Sequence, residues 1–427
     1  MTAASQPASD PSTDGSTSAL APYRILDLTT SRAWFTGKLL ADLGADVIKV
    51  EPPGGDPDRV KGPYADDVAS PENSLEWWAF NRGKRSITLD LASADGRALF
   101  LQLAARADAV IESFEPGALE LLGLGLDELH RANPHLVLTR VTPFGQTGPF
   151  AHLKATDLIL AAIAGPAWMA GDSDRPPVRT STPQYFQHAA AEAALHTNAA
   201  LYHAAATGQG QQIDVSAQLA ASRTPMNALA SPHMDGVIMQ RSTFGEPLPQ
   251  APYRSIYHCA DGNIMATVTF GPGLKGYRGW LEAEGHPLPS FLTDLKDEDF
   301  GPTMLENLPP DFPQRTSEVL AEFFSTRNKQ EIAEQVLTHR LMVVPINNVA
   351  DNYADVQLTA RDYFTPVAHE GRDEDVLYPT VWAHLTKTPL TAGRRAPRIG
   401  EHNTEILVDE LGVSAADMTL YQEAGVV

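Results

Sequence analysis

Between Arg24 and Glu51 the chain passes from strand-like to helix-like to strand-like patterning with almost nothing in between. RILDL is a short apolar run. FTGKLLADLGA carries apolar residues at helical spacing, with Gly44 as its stop. DVIKVE is a second apolar run, closed by the turn-forming PPGGDP. Parallel strands need a crossover of about a dozen residues or more, and a helix of this length supplies one. The rhythm continues with SITLDL (Ser86 to Leu91) as strand, SADGRALFLQLAARA as helix with Ser93 at its N-cap, DAVIESF as strand and HLVLTRVT (His135 to Thr142) as strand. Glu115 and Pro116 open a helix between the last two, where a first-turn proline gives up an N–H that has no partner anyway. Such alternation confines the chain to an α/β fold with a doubly wound, Rossmann-like parallel sheet.

The remainder divides by composition. Asp157 to Gly165 and the alanine-rich Gln187 to Ala206 read as helices, and TGQGQ turns into a strand QIDVS. Residues 225–252 are irregular and read as a linker; 253–338, beginning around CADGNIMATVTF, as a small α+β domain; and 339–427 as a return to the first domain, which occupies 23–224. The opening 22 residues, rich in Ser, Thr, Asp, Ala and Pro, lack the basic and apolar regions of a signal peptide and read as a disordered tail.

With 53 acidic against 32 basic residues the net charge is −21, which disfavours nucleic acid and anionic membranes as partners. Cys259 is the single cysteine, so neither an intrachain disulfide nor a cysteine zinc site is available. No apolar run approaches the roughly 20 residues of a membrane helix. A cytoplasmic protein without a metal is the expectation. GxGxxG, Walker A, GxSxG and HExxH patterns are all absent. On its own, His188 reads as a hydrogen-bonded histidine and Asp157 as a helix N-cap. The basic cluster NRGKRS (Asn81 to Ser86) reads either as a solvated turn or as a phosphate pocket.

LLADLGADVIKVEPPGGDPDR, NRGKRSITLDL, ADAVIESFEPGALELLGLGLDEL, NPHLVLTRVTPFGQTGPF, TGQGQQIDVS and RRAPRIGEHNTEIL, in that order, resemble the family III CoA-transferases from about Tyr23 to Gly412. The resemblance implies a large domain built from both chain ends, a smaller inserted domain, and an interlocked homodimer. It also implies transfer of coenzyme A from an acyl-CoA to a carboxylic acid. Carried over by position, Lys154 would pair with a CoA phosphate, and Leu89, Phe114 and Ala118 would contact the adenine end. The chain departs from the pattern at Pro52, Ser113 and Leu121, and in SRAWFTGK after DLT.

The same resemblance places an aspartate nucleophile about nine residues beyond the second proline of PPV. Counting from Pro177, that position is Phe186. A phenyl ring can neither attack a thioester nor carry a proton. The chemistry would then fall to His188, as base or acyl acceptor, or to Asp157. A racemase would need two bases, but its positions are Thr156 and Phe186, so α-proton exchange is not expected. Three functions remain: CoA transfer; lyase, dehydratase, isomerase or thioesterase chemistry with His188 as base; and acyl-CoA binding without catalysis. Apolar residues in MNALASPHM and QRSTFGEPLPQ leave room for a bulky acyl group, though linker packing is the favoured account of them.

Overall fold

The structure is a computed structural model of the chain and describes residues 18–234, 236–241, 254–267, 272–300, 308–309, 311–390 and 393–427. By contacts the chain forms two compact units, one of Met1–Leu160, Pro183–Ala221 and Val356–Val427, the other of Ala161–Thr182 and Ser222–Asp355.

The first unit is organised by a six-stranded sheet in which every pairing is parallel. Its strands are β1 (Arg24–Leu28), β2 (Asp46–Glu51), β3 (Arg85–Thr88), β4 (Ala109–Glu112), β5 (Val137–Thr142) and β6 (Gln212–Ser216), in the order β3-β2-β1-β4-β5-β6. Apolar cores lie on both faces of the sheet, which is why the inner strands β1, β2 and β4 are mostly apolar. In β1, Ile25 and Leu26 point to opposite sides. Leu26 joins Ile48, Val110, Phe100 and Leu138 in one core, with Ile406 and Leu407 from the chain's C-terminal part. Ile25 joins Val47, Ala109, Val137, Leu40 and Leu201 in the other.

Helix α1 (Trp34–Asp42) packs on the long helix Tyr185–Thr207. The latter buries Ala189, Ala190, Ala193, Ala194, Ala200 and Ala204, so alanine here allows close approach. Helices α2 (Leu75–Asn81) and α3 (Ala94–Ala104) follow β2 and β3, and strands β7 (Ile256–Cys259), β8 (Gly262–Ala266) and β9 (Val343–Pro345) form the antiparallel sheet of the second unit.

Three expectations are revised. The boundary expected at 338/339 falls after Asp355, because β9 pairs with β8 and draws its flanks into the second unit. Most of the expected tail lies outside the described residues, but Ala19–Pro22 form a turn, with the Leu20 N–H donating to Leu43 O at 2.9 Å and Leu20 packed on the Ile25 core. Within the expected linker, Met226–Met234 is helical, while 235 and 242–252, and with them most of QRSTFGEPLPQ, lie outside the described residues. Among the described residues no helix is long and apolar enough to cross a membrane.

NRGKRS is neither a solvated turn nor a phosphate pocket. Arg82 and Lys84 are fully buried, Arg82 Nη2 on Asp42 Oδ1 at 2.5 Å and Lys84 Nζ on Asp27 Oδ2 at 2.7 Å. Lys84 also donates to Trp34 O and Asn81 Oδ1. Burial pulls the Lys84 ammonium down to about 8 despite Asp27 beside it. The pair needs room, and Gly37 provides it: a Cβ there would stand 2.2 Å from Asp27 Oδ2.

Candidate functional site

Strand order reverses between β1 and β4, and doubly wound sheets bind ligands outside the carboxyl ends of the strands at that point. A cavity of about 880 Å³ lies there, within the first unit. Its walls are Thr30, Ser31 and Arg32 after β1, Pro57, Asp58 and Lys61 after β2, Ser113, Phe114 and Glu115 after β4, then Glu76, Ala118, Leu122, Ala155 to Asp157, Pro183, Phe186 and Gln187.

Buried ion pairs hold these loops in place. The Asp27 carboxylate accepts from the Thr29 N–H (2.8 Å) and hydroxyl (2.6 Å), and Lys49 donates to Thr29 O. Asp27 is kept below the usual carboxylate range: burial would raise it, but Lys84 and Lys49 outweigh burial. The Thr30 N–H donates to Ser113 Oγ at 2.8 Å, so the serine at this departing position ties the β1 and β4 loops together. After β2, Glu51 accepts from Arg59 Nε (2.6 Å) and Nη2 (2.7 Å) and from the Asp56 N–H (2.7 Å). Arg59 is also stacked on Trp77, its guanidinium carbon 3.5 Å from the ring centre. The VIKVEPPGGDPDR motif is therefore the brace of the segment that presents Asp58 and Lys61.

Four carboxylates line the cavity: Asp58, Glu76, Glu115 and Asp157. Asp58 accepts from the Ser31 N–H (3.0 Å) and hydroxyl (2.6 Å) and pairs with Lys61 Nζ at 2.7 Å. Burial would raise it, but these donors hold it below the usual range. Glu115 takes Arg32 Nη1 at 3.3 Å. Glu76 has no hydrogen bond or ion pair among the described residues, and burial, reinforced by Asp58, pushes its carboxyl up against the opposing pull of Lys61.

Asp157 is in the wall, but its oxygens are occupied. They accept the N–H groups of Gln184 (3.1 Å), Tyr185 (2.7 Å) and Phe186 (3.2 Å), capping the long helix rather than the short one that Asp157 itself begins. Phe186, 8% exposed, forms part of the wall, with the Arg32 guanidinium 5.9 Å from its ring centre. His188 lies two positions on, half-buried, its ring edge-on to Tyr185 at 5.9 Å, and is not among the wall residues.

Of the residues expected at the adenine end, Phe114 and Ala118 are wall residues, whereas Leu89 is 1% exposed in the core with Leu26 and Ile48. Lys154 is exposed and outside the wall. Arg32, Asp58, Lys61 and Glu76 were not expected. Arg32 lies in SRAWFTGK, a stretch already marked by its departure from the pattern, but nothing local distinguishes the other three from surface charge. Among the described residues no three His, Cys, Asp or Glu side chains are grouped to hold a metal ion.

Comparison with known proteins agrees with this architecture. Residues 20–403 match the family CoA-transferase family III. The chain is 35% identical over 390 residues to the succinyl-CoA:(R)-benzylsuccinate CoA-transferase subunit BbsE of Thauera aromatica, covering 91% of this chain and 93% of that one. It is 30% identical over 423 residues to the succinyl-CoA–L-malate CoA-transferase alpha subunit of Chloroflexus aurantiacus, covering 97% and 94%. A crystal structure of a CaiB/BaiF family protein from Brucella suis superposes with a TM-score of 0.79 at 27% identity, covering 92% of this chain and 99% of that one. Sequence motifs, sheet order and relatives named for moving CoA between acids thus agree, and the chain belongs to CoA-transferase family III.

Proposed function

We propose that this chain binds an acyl-CoA, with a succinyl or similar dicarboxylic acyl group, in the β1–β4 cavity, and that it completes CoA transfer together with a second, related chain that carries the attacking carboxylate. Transfer between carboxylic acids is the reaction of the family. In the mechanism the resemblance implies, a carboxylate attacks the thioester carbonyl, the C–S bond breaks, and the thiolate then attacks the enzyme-side carbonyl of the resulting anhydride, releasing the donor acid as its carboxylate and leaving CoA on the enzyme.

The observation that carries the reading is Phe186, a wall residue where that carboxylate is expected. Asp157, nearest in role, is committed to three backbone N–H groups. His188 lies outside the wall. Two copies of this chain would both carry phenylalanine at this position, whereas pairing with a related chain would supply an acid in one of the two. The relatives from Thauera aromatica and Chloroflexus aurantiacus are both named as subunits. Their names also supply the donor, succinyl-CoA, and Arg32 at the Phe186 end offers a planar cation suited to a distal carboxylate.

Exchange of isotope-labelled succinate into succinyl-CoA tests this. The chain alone should give no exchange, and the chain co-expressed with a family III partner that retains the aspartate should give exchange, with covalent CoA found on the partner. Full exchange by this chain alone, with CoA bound to one of its own residues, would refute the reading.

A further inference from the structure

Two acceptors in the cavity wall lack donors. The Glu76 carboxylate has no hydrogen bond or ion pair among the described residues, and Gln187 Oε1 is buried without a hydrogen-bond partner. The other wall carboxylates are satisfied: Asp58 by Ser31 and Lys61, Glu115 by Arg32, Asp157 by the long helix. Glu76, half-buried, loses water when a ligand enters and must then be given a donor or it weakens binding, whereas Gln187 Oε1 is already shut off from water and gains from any donor that reaches it. The cavity therefore selects a ligand that brings donors to these positions.

Charge narrows the choice. Around Glu76 stand Asp58 and Lys61, two carboxylates to one ammonium. The remaining charged wall groups, Arg32, Glu115 and Asp157, add one cation and two anions. A phosphate is repelled from the Glu76 side. A CoA thioester has no cationic group, but its pantetheine arm is neutral and carries amide N–H groups and a hydroxyl.

Resting on the reading of the cavity as a CoA site, we propose that Glu76 and Gln187 bind the pantetheine arm of the bound thioester by accepting hydrogen bonds from its amide and hydroxyl groups. The raised basicity of Glu76 suits an acceptor, and the Phe186–Gln187 adjacency places one acceptor beside the residue that replaced the acid. The two would fix the arm, and so the thioester, without taking part in bond making.

Two probes isolate the arm: free CoA, which lacks an acyl group, and adenosine 3′,5′-bisphosphate, which lacks the arm. Dissociation constants are measured for the full chain and for Glu76→Ala and Gln187→Leu, with thermal unfolding to check that each variant is folded. Each substitution should weaken CoA by about tenfold, the scale of a lost hydrogen bond to a charged or buried acceptor, and leave the bisphosphate unchanged. Equal weakening of both probes, unchanged CoA affinity in both variants, or tighter CoA binding by Glu76→Ala each overturns the proposal. Failure of the unaltered chain to bind either probe overturns the CoA-site reading, and this proposal with it.

Discussion

The Arg32 guanidinium faces the ring of Phe186 at 5.9 Å, so the cavity pairs a cation with an aromatic ring at the position where the resemblance to the family implies an acid. Arg32 already sits where it could stabilise a carboxylate in place of that ring. Phe186→Asp should therefore let this chain form the covalent intermediate by itself. Intact-mass analysis after incubation with succinyl-CoA should show a CoA adduct on the variant and none on the unaltered chain. An adduct on both would mean that another residue here already opens thioesters.

Arg32 is predicted to read the distal carboxylate of the acyl group. Its present partner, Glu115, is 3.3 Å away and part-exposed, a contact a bound carboxylate can displace. Arg32→Ala should weaken succinyl-CoA binding by about 1 to 3 kcal/mol, with a smaller effect on butyryl-CoA, which has the same chain without the acid. Calorimetric titration of both ligands measures the difference. Equal losses would place Arg32 against the CoA moiety instead.

Asp157 is predicted to matter for stability first. It supplies acceptors to three N–H groups at the start of the long helix, whose own preceding residue, Gln184, makes no side-chain cap. Asp157→Ala should cost about 1 to 2 kcal/mol, the range of a lost N-cap, in urea unfolding. Asp157→Asn keeps an acceptor and should recover much of it. Full stability in the alanine variant would show that water replaces the carboxylate without loss.

The sheet was legible because the inner strands, buried on both faces, are short and mostly apolar and the crossovers between them are helix-length inserts. The charges were not. Lys84 finds Asp27, and Arg82 finds Asp42, across long stretches of sequence, so NRGKRS gives no local sign that its cations are buried. Glu76 and Lys61 meet only because the braced β2 loop and α2 converge on one cavity. Counting from PPV, which rests on the resemblance, leads to Phe186, and Phe186 is a wall residue of the cavity. The burial of Leu89 was a different matter, for a motif position specifies a neighbourhood and not whether the side chain or the backbone faces it. The second unit's far boundary was missed because β9 spans only Val343–Pro345, too short to announce itself by alternation.

Glu112, at the end of β4, should make the fold weaken as pH rises. It is 3% exposed; the Phe114 N–H donates to it, and Arg140 Nε lies 3.5 Å away. That ion pair is long, and Arg140 gives its Nη2 to Glu120 at 2.5 Å instead. Burial therefore prevails over the Phe114 bond and Arg140, with Glu120 and Asp214 adding repulsion, and lifts the carboxyl from 4.5 to about 7. Because the folded value lies above the unfolded one, the folded state holds a proton that the unfolded chain has released between about pH 4.5 and 7. Stability from this group is thus present at the acid side, lost across that window and flat above it, by an amount on the order of 3 kcal/mol. Glu112→Gln keeps an acceptor for the Phe114 N–H and removes the titration. Urea midpoints at pH 5 and pH 8 should fall with pH in the unaltered chain and fall by less in the variant, the difference between the two isolating Glu112 from every other titratable group. Identical pH slopes would mean that Arg140 moves in to pair with the ionised acid.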